Sequence, residues 1–134
     1  MYIAKTLPSK FEAIPNFIDE ALGLLSKEVN PSEDDVFIIK LALEEAITNA
    51  IKHGNKLNPD LTVDITMTCT ANVLTICIKN KGQGFDVNKI PDPTKEEGLK
   101  RTSGRGVFLV KKLMDEVVFS DEGREIKMVK RLRG

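Results

Sequence analysis

Several features that mark common protein classes are scarce or missing in this chain of 134 residues. It has two cysteines, one histidine, no tryptophan and a formal net charge of zero from 20 basic and 20 acidic side chains. Two thiols with no His or Asp at ligand spacing build neither a zinc site nor a disulfide framework. The balanced charge argues against a nucleic acid or an anionic membrane as the main partner.

Long apolar runs and targeting segments are missing as well. No stretch approaches the roughly 18 consecutive apolar residues of a membrane span, and the N-terminus lacks a basic start followed by an apolar run. We therefore expect a cytoplasmic protein. With no repeat, low-complexity tract or linker, and with 41 % hydrophobic residues, the chain suits one domain over residues 1–134.

The hydrophobic pattern predicts an α+β fold. Strands are expected where apolar residues alternate, and helices where they recur every three or four residues. The predicted strands are 2–7, 62–70, 73–79, 116–120 and 125–132, and the predicted helices are 14–28, 33–53 and 105–114. Their order indicates a two-layer α/β sandwich, with a mixed, mostly antiparallel sheet and helices on one face.

A polar stripe follows the second predicted helix. Glu45, Asn49 and His53 are spaced by four residues, so each side chain lies about 40° from the previous one around the helix axis. Ile38 and Ala42 point in the same direction, which indicates a partly covered cleft wall. The same residues also suit an ordinary helix surface with Gly54 as a left-handed stop, and this helix alone leaves both interpretations open.

A first glycine-bearing segment, NKGQGFD, leaves the end of a predicted strand at Asn80. Gly82 and Gly84 would let the backbone come close to a planar or anionic ligand. A two-glycine loop after a strand is most often only a turn, so this segment by itself is a weak sign of a site.

A second glycine-bearing segment, SGRGVFLV, places Gly104 and Gly106 at the start of a predicted helix. Unpaired N–H groups and the helix dipole at such a start attract anions, although glycines there also admit tight packing. Residues 91–102 before it have no apolar period and are expected to form a mobile flap. Neither glycine segment fits a Walker-type loop or a dinucleotide fingerprint.

Taken in this order, the three segments resemble the GHKL ATPase superfamily with its Bergerat fold, and within it the anti-sigma factor serine-protein kinases. EEAITNAIKHGN is similar to the family's N-box, E-x-x-x-N-x-x-x-H. NKGQG lies where the D-x-G-x-G box belongs, and GRGVFLVKKLMDEV is similar to the G-x-G box and its helix. The resemblance covers nearly the whole chain and favours the functional interpretation of the stripe.

The resemblance implies an ATP- and Mg²⁺-dependent protein serine/threonine kinase. Such a protein phosphorylates an anti-anti-sigma partner of the STAS type and holds a sigma factor inactive, and the family implies a homodimer. Glu45 would be the general base and Asn49 the Mg²⁺ ligand. The implied nucleotide-binding residues are Asn49, His53, Asn80, Gly82, Gly84, Ser103, Gly104, Arg105, Gly106 and Val107. Lys100 and Arg101, with Arg105, would add positive charge near the flap.

Two positions depart from the family pattern. Asn80 stands where the family has an Asp that accepts a hydrogen bond from the adenine amino group, and an Asn carbonyl can accept without a charge. Arg124 and Glu125 stand where the family often has a Thr near adenine. The departures leave open a non-catalytic partner-binding switch of the same fold with weak or no nucleotide binding. The catalytic domain of a sensor histidine kinase is disfavoured, because no helices with a phospho-accepting His precede this sequence.

Overall fold

A computed structural model describes residues 1–82 and 102–132, except for the side chains of residues 102–107. The strands are β1 (Tyr2–Pro8), β2 (Thr62–Thr70), β3 (Val73–Asn80), β4 (Glu116–Ser120) and β5 (Glu125–Arg131), and the helices are α1 (Ala13–Ser26), α2 (Glu33–Asn49) and α3 (Thr102–Leu113). A π-turn, Ala50–Gly54, continues α2, and a 3₁₀ turn, Asp121–Gly123, separates β4 from β5. No helix within the two described segments is long and apolar enough to cross a membrane.

The five strands form one sheet in the order β1-β2-β3-β5-β4, and all four neighbouring pairs are antiparallel. In β2 and β3 buried residues alternate with half-buried ones, as the period-two pattern predicts. The predicted hairpin register is confirmed, since Cys69 pairs with Leu74 and Thr66 with Cys77. The predicted α+β architecture is therefore confirmed, with antiparallel pairing throughout the described sheet.

Helices α1 and α2 contribute to a core that they share with the sheet. Their fully or nearly fully buried residues recur at helical spacing. The core includes Phe17, Ala21 and Leu25 from α1, Ile39, Leu43 and Ile47 from α2, and Val63, Ile65, Met67, Leu74, Ile76 and Ile78 from the sheet. Burying each large aliphatic side chain contributes about 1.5–3 kcal/mol, so this apolar layer holds α2 in a defined position on the sheet.

Helix α2 begins where the sequence predicts but ends earlier. Its start is a capping box in which the Asp35 N–H donates to the Ser32 hydroxyl at 3.1 Å and the Ser32 N–H donates to the Asp35 carboxylate at 3.4 Å. The α-helix ends at Asn49 rather than at the predicted His53. The chain then widens into the π-turn, which the Asn55 N–H closes by donating to the Ala50 carbonyl at 2.8 Å.

Gly54 is not the left-handed helix stop that the sequence suggested. Among the described glycines only Gly123 has a positive φ. A methyl group on Gly54 would overlap the carboxamide of Asn80, and one on Gly82 would overlap the carbonyl group of Gly54. Gly54 and Gly82 are therefore required by close packing between the end of α2 and the end of β3.

Helix α3 begins at Thr102, three residues before the predicted start at Arg105, and it packs along α2. Val110 and Met114 are buried in the core, as predicted, and Leu113 is half-buried. The predicted flap over residues 91–102, apart from Thr102 itself, lies outside the described residues, as do Gly84, Lys100 and Arg101.

Gly54→Ala and Gly23→Ala should have opposite effects on stability. Gly54→Ala forces a methyl group into the Asn80 carboxamide and should lower the free energy of unfolding by about 1–3 kcal/mol. Gly23 lies on the exposed surface of α1 with nothing near its missing Cβ, so Gly23→Ala should raise it by about 0.5–1 kcal/mol. Urea unfolding of both variants checks this pair, and equal stabilities would contradict the close approach at Gly54.

Candidate functional site

The stripe on α2 forms a partly covered wall. Ala42 is fully buried, Asn49 is 9 % exposed, and Ile38 and Glu45 are half-buried. Ile38 lines a groove together with Leu113 of α3, so the side of α2 that carries the stripe is the side on which α3 lies. The prediction that this flank of α2 is covered is confirmed.

The geometry of the two helices brings the start of α3 towards Asn49. Leu113, at the end of α3, lies beside Ile38, in the second turn of α2. Because α3 packs against α2, it extends from this contact back along that helix. Eleven residues separate Ile38 from Asn49 and Thr102 from Leu113, and each span is about 16 Å of helix. An antiparallel arrangement of the two axes would bring the first turn of α3 level with Asn49.

Glu45 is in an environment that favours its protonated form. Partial burial raises the pKa of its carboxyl group, and the neighbouring Glu44 carboxylate raises it further. A carboxylate with a raised pKa is a stronger base than an exposed one. Glu45 therefore has the electrostatic character that proton abstraction requires.

Asn49 is a buried amide with unused hydrogen-bonding capacity. Among the described residues no hydrogen bond is formed by its carboxamide, yet none of the fully buried side-chain polar atoms there lacks a partner, so the amide must reach solvent. Buried polar groups are normally paired within the protein. An unpaired, accessible amide in the wall of a cleft is suited to binding a ligand.

The oxygen ligands on this side of α2 suit a hard cation that is also coordinated by phosphate groups. Mg²⁺ prefers oxygen ligands and typically uses one or two protein groups together with phosphates and water. The Asn49 carbonyl oxygen offers one such ligand. No cluster of three or more His, Cys, Asp or Glu side chains suited to a metal occurs within residues 1–82 and 108–132, so a cation here would depend on its phosphate ligands.

His53 lies in the π-turn one turn beyond Asn49. Partial burial lowers the pKa of its imidazole, and the positive charges of Lys52 and Lys56 lower it further. The lowered pKa favours the neutral form of the ring. Because the wider turn changes the pitch after Asn49, His53 does not continue the α-helical stripe at the predicted angle.

Asn80, at the end of β3, is buried and its carboxamide is held in one orientation. Its Nδ2 donates to the Gly123 carbonyl at 3.3 Å, and its Oδ1 accepts from the Gly82 N–H at 3.2 Å. If the amide were flipped, its oxygen would face the Gly123 carbonyl oxygen and its NH₂ group would face the Gly82 N–H. The assigned orientation is therefore favoured by both contacts, and the described residues use only one of the two acceptor lone pairs of Oδ1.

Asn55 is a positioning residue that the sequence analysis missed. It is 1 % exposed, and its Nδ2 donates to the Ser9 hydroxyl at 2.9 Å and to the Thr62 carbonyl at 3.0 Å. Its Oδ1 accepts from the Lys81 N–H at 2.8 Å. The carboxamide thus connects the end of α2 to the end of β1, the start of β2 and the end of β3. The only sequence feature that pointed to Asn55 was its position as the last residue of HGN, directly after the polar stripe.

The start of α3 offers backbone donors. Because the helix begins at Thr102, the N–H groups of Thr102, Ser103 and Gly104 have no intrahelical acceptor, whereas those of Gly106 and Val107 belong to the helical ladder. The side chains of Ser103 and Arg105 lie outside the described part of the site. The helix start retains the character of an anion site, and its donors lie earlier in the chain than the sequence analysis predicted.

Comparisons with known proteins agree with this architecture. Residues 7–130 match the family described as the histidine kinase-like ATPase domain. The chain is 31 % identical over 140 residues to the serine-protein kinase RsbW of Staphylococcus aureus strain JH9, in an alignment that covers 98 % of this chain and 87 % of that protein. The RsbW proteins of strains Newman and JH1 show the same identity and coverage.

Asn80→Asp should destabilise the protein at neutral pH. The new carboxylate cannot donate to the Gly123 carbonyl and would face it in a buried position, so the free energy of unfolding should fall by about 1–3 kcal/mol. Its folded-state pKa should be raised, so the loss should be largest above that pKa and should shrink as the pH falls and the carboxyl group regains a proton to donate.

The matched control is Asn58→Asp. The Asn58 side chain is exposed and only accepts, from the Asp60 N–H at 2.9 Å, so an Asp there should change stability by less than about 0.5 kcal/mol. Urea unfolding at pH 5 and pH 8 compares the two variants. If Asn80→Asp is as stable as Asn58→Asp at both values, the donor role of Asn80 is wrong.

Proposed function

The chain belongs to the histidine kinase-like ATPase domain family, and from this membership and the site we propose that it is an ATP-dependent protein serine/threonine kinase. The carrying observation is that the half-buried Glu45 and Asn49, whose carboxamide has no hydrogen-bond partner among the described residues, lie on the side of α2 that faces α3. These two side chains place a base and an oxygen ligand beside an anion-binding helix start.

In the transfer step Glu45 accepts the proton of a serine or threonine hydroxyl on the substrate protein. The hydroxyl oxygen forms a bond to the γ-phosphorus of ATP, the bond from that phosphorus to the bridging oxygen breaks, and ADP leaves. Such reactions depend mainly on positioning and charge neutralisation. The raised pKa of Glu45 suits this task, because its carboxylate holds a proton better than an exposed one.

The phosphates are bound at the start of α3. The N–H groups of Thr102, Ser103 and Gly104 and the helix dipole supply donors there, and Arg105, Gly106 and Val107 follow directly. Asn49 would hold Mg²⁺ through its carbonyl oxygen, and the ion would neutralise phosphate charge. His53 contributes a neutral imidazole at most, since its pKa is lowered.

The nucleobase is recognised at the end of β3. The free lone pair of Asn80 Oδ1 accepts a hydrogen bond from the exocyclic amino group of adenine, and the Gly82 backbone packs close by. Replacing the family's Asp by Asn removes a charge from this contact and keeps the acceptor. Gly84 completes this binding region in the proposal.

The partners in the proposal follow the relatives. RsbW proteins are named serine-protein kinases. We propose that this chain phosphorylates a small anti-anti-sigma protein of the STAS type, that it binds and inactivates a sigma factor in a competing complex, and that it acts as a homodimer.

Glu45→Gln should abolish phosphoryl transfer while leaving ATP binding intact. Gln keeps the size of the side chain but cannot accept a proton, so single-turnover transfer from γ-labelled ATP to a purified STAS protein should slow by about 10²-fold or more. Phosphoamino-acid analysis of the parent's product should give phosphoserine or phosphothreonine. A Glu45→Gln variant that transfers as fast as the parent would contradict the assignment of the base.

Calorimetric titration of the parent with ATP and Mg²⁺ separates the kinase from a non-catalytic switch of the same fold. Saturable binding with a stoichiometry near one site per chain is expected. Absence of binding at millimolar ATP would contradict the kinase and favour the switch.

Glu44→Gln should shift the pH profile of transfer without lowering its plateau. Only the ionised Glu45 accepts a proton, so the rate should rise as the pH increases through its pKa. Glu44 is exposed and is the second cause of the raised Glu45 pKa, after burial. Its replacement should therefore move the midpoint of the rise to lower pH, and the same profile as the parent would contradict this electrostatic coupling.

A further inference from the structure

A strained turn between β4 and β5 supports the loop that follows β3. Asp121, Glu122 and Gly123 all have positive φ, at 52°, 55° and 84°, a conformation that costs free energy for the two residues other than glycine. The turn presents the Gly123 carbonyl to Asn80 Nδ2 and the Arg124 carbonyl to the Asn80 N–H, the latter at 2.8 Å. The turn thus provides both acceptors for Asn80.

The side chain of Arg124 joins this turn to the loop. Its Nε donates to the Gly82 carbonyl at 3.0 Å, while its Nη1 donates to the Asp121 carbonyl at 3.3 Å. The carboxylates of Asp121 and Glu122 lie 3.4 and 3.5 Å from the same nitrogen. With only 32 % of its side chain exposed, Arg124 is a bridge between two backbone segments rather than a freely solvated charge.

This bridge matters because Asn80 carries an amide. The carboxylate of an Asp presents acceptors in every rotamer, whereas an Asn that turns over replaces its acceptor with a donor. The Gly82 N–H is one of the two groups that prevent such a turn, and Arg124 holds the same residue through its carbonyl group. Release of Gly82 would remove one of these two restraints and make the turned orientation of the Asn80 amide more accessible.

We propose that Arg124 is a positioning residue that sets nucleobase selectivity by locking the orientation of the Asn80 carboxamide. This inference rests on the proposed function, in which Asn80 accepts from the adenine amino group. Guanine has a carbonyl oxygen at the corresponding ring position, and a locked Asn80 acceptor repels it. An unlocked Asn80 can turn its amino group towards that oxygen, so loss of Arg124 relaxes the preference for adenine.

The first experiment tests the lock without nucleotide. Amide hydrogen exchange by NMR should show the Gly82 N–H exchanging about tenfold faster in Arg124→Ala than in the parent. The Lys81 N–H, which is held by Asn55, should change less. Lys127→Ala, on the exposed side of β5, is the matched control and should leave both amides unchanged. Unchanged exchange at Gly82 in Arg124→Ala would overturn the lock.

The second experiment measures selectivity as the ratio of the GTP and ATP dissociation constants, by calorimetry with Mg²⁺. The ratio should fall about tenfold or more in Arg124→Ala. It should also fall in Arg124→Lys, which keeps the charge but not the planar Nε–H donor, and it should be unchanged in Lys127→Ala. An unchanged ratio in Arg124→Ala overturns the proposal. So does an equal loss of ATP and GTP affinity that Arg124→Lys restores, because that pattern indicates simple charge attraction.

The two experiments separate this inference from the proposed function. A parent protein that binds neither nucleotide contradicts the proposed function and the selectivity together, while hydrogen exchange still decides whether Arg124 locks the loop. The other outcome is a parent that binds ATP and an Arg124→Ala variant with an unchanged Gly82 exchange rate and an unchanged ratio of GTP and ATP dissociation constants. That result supports the proposed function but shows that Arg124 has no part in it.

Discussion

The requirement that buried carboxamides be hydrogen-bonded governs the junction between the end of α2 and the end of β3. Asn55 and Asn80 are both buried, and the carboxamide of each bonds to backbone groups of another segment. Leaving such a group unpaired costs about 1–3 kcal/mol. Because the bonds run to different segments, the helix end, the loop after β3 and the turn before β5 are held in one mutual arrangement. The candidate site depends on that arrangement.

Asn49 differs from these two residues in a way that separates structure from function. Like them it is a buried amide, but its carboxamide has no partner among the described residues. It lies one turn from Glu45 and just before the π-turn. In folded proteins most buried polar groups form hydrogen bonds within the protein, and those that do not are often found at ligand-binding sites. The contrast between Asn49 and Asn55, six residues apart, supports the proposal that Asn55 shapes the site while Asn49 is available to a ligand.

Much of this fold could be predicted because the relevant signals are local. The alternation in β2 and β3 gave the correct hairpin register, since shifting a strand by one residue would expose its whole apolar face. The spacing of Glu45 and Asn49, with Ile38 and Ala42 on the same line, gave the covered flank of α2. The π-turn, by contrast, brings Gly54 against Asn80, a residue of a distant strand, and no periodicity within α2 contains that information.

The sequence by itself determined the layered architecture and the residue types of the candidate site, because hydrophobic period and motif spacing act over a few residues. Only the tertiary structure decided what the individual polar groups do. Gly123 and Arg124 lie more than forty positions after Asn80 and Gly82 in the chain, but they hydrogen-bond to these two residues in space. Whether a buried amide supports the backbone, binds a ligand or is held as an acceptor in one orientation depends on its hydrogen-bond partners. Those partners come from distant segments, whose positions are set by the packing of the whole sheet.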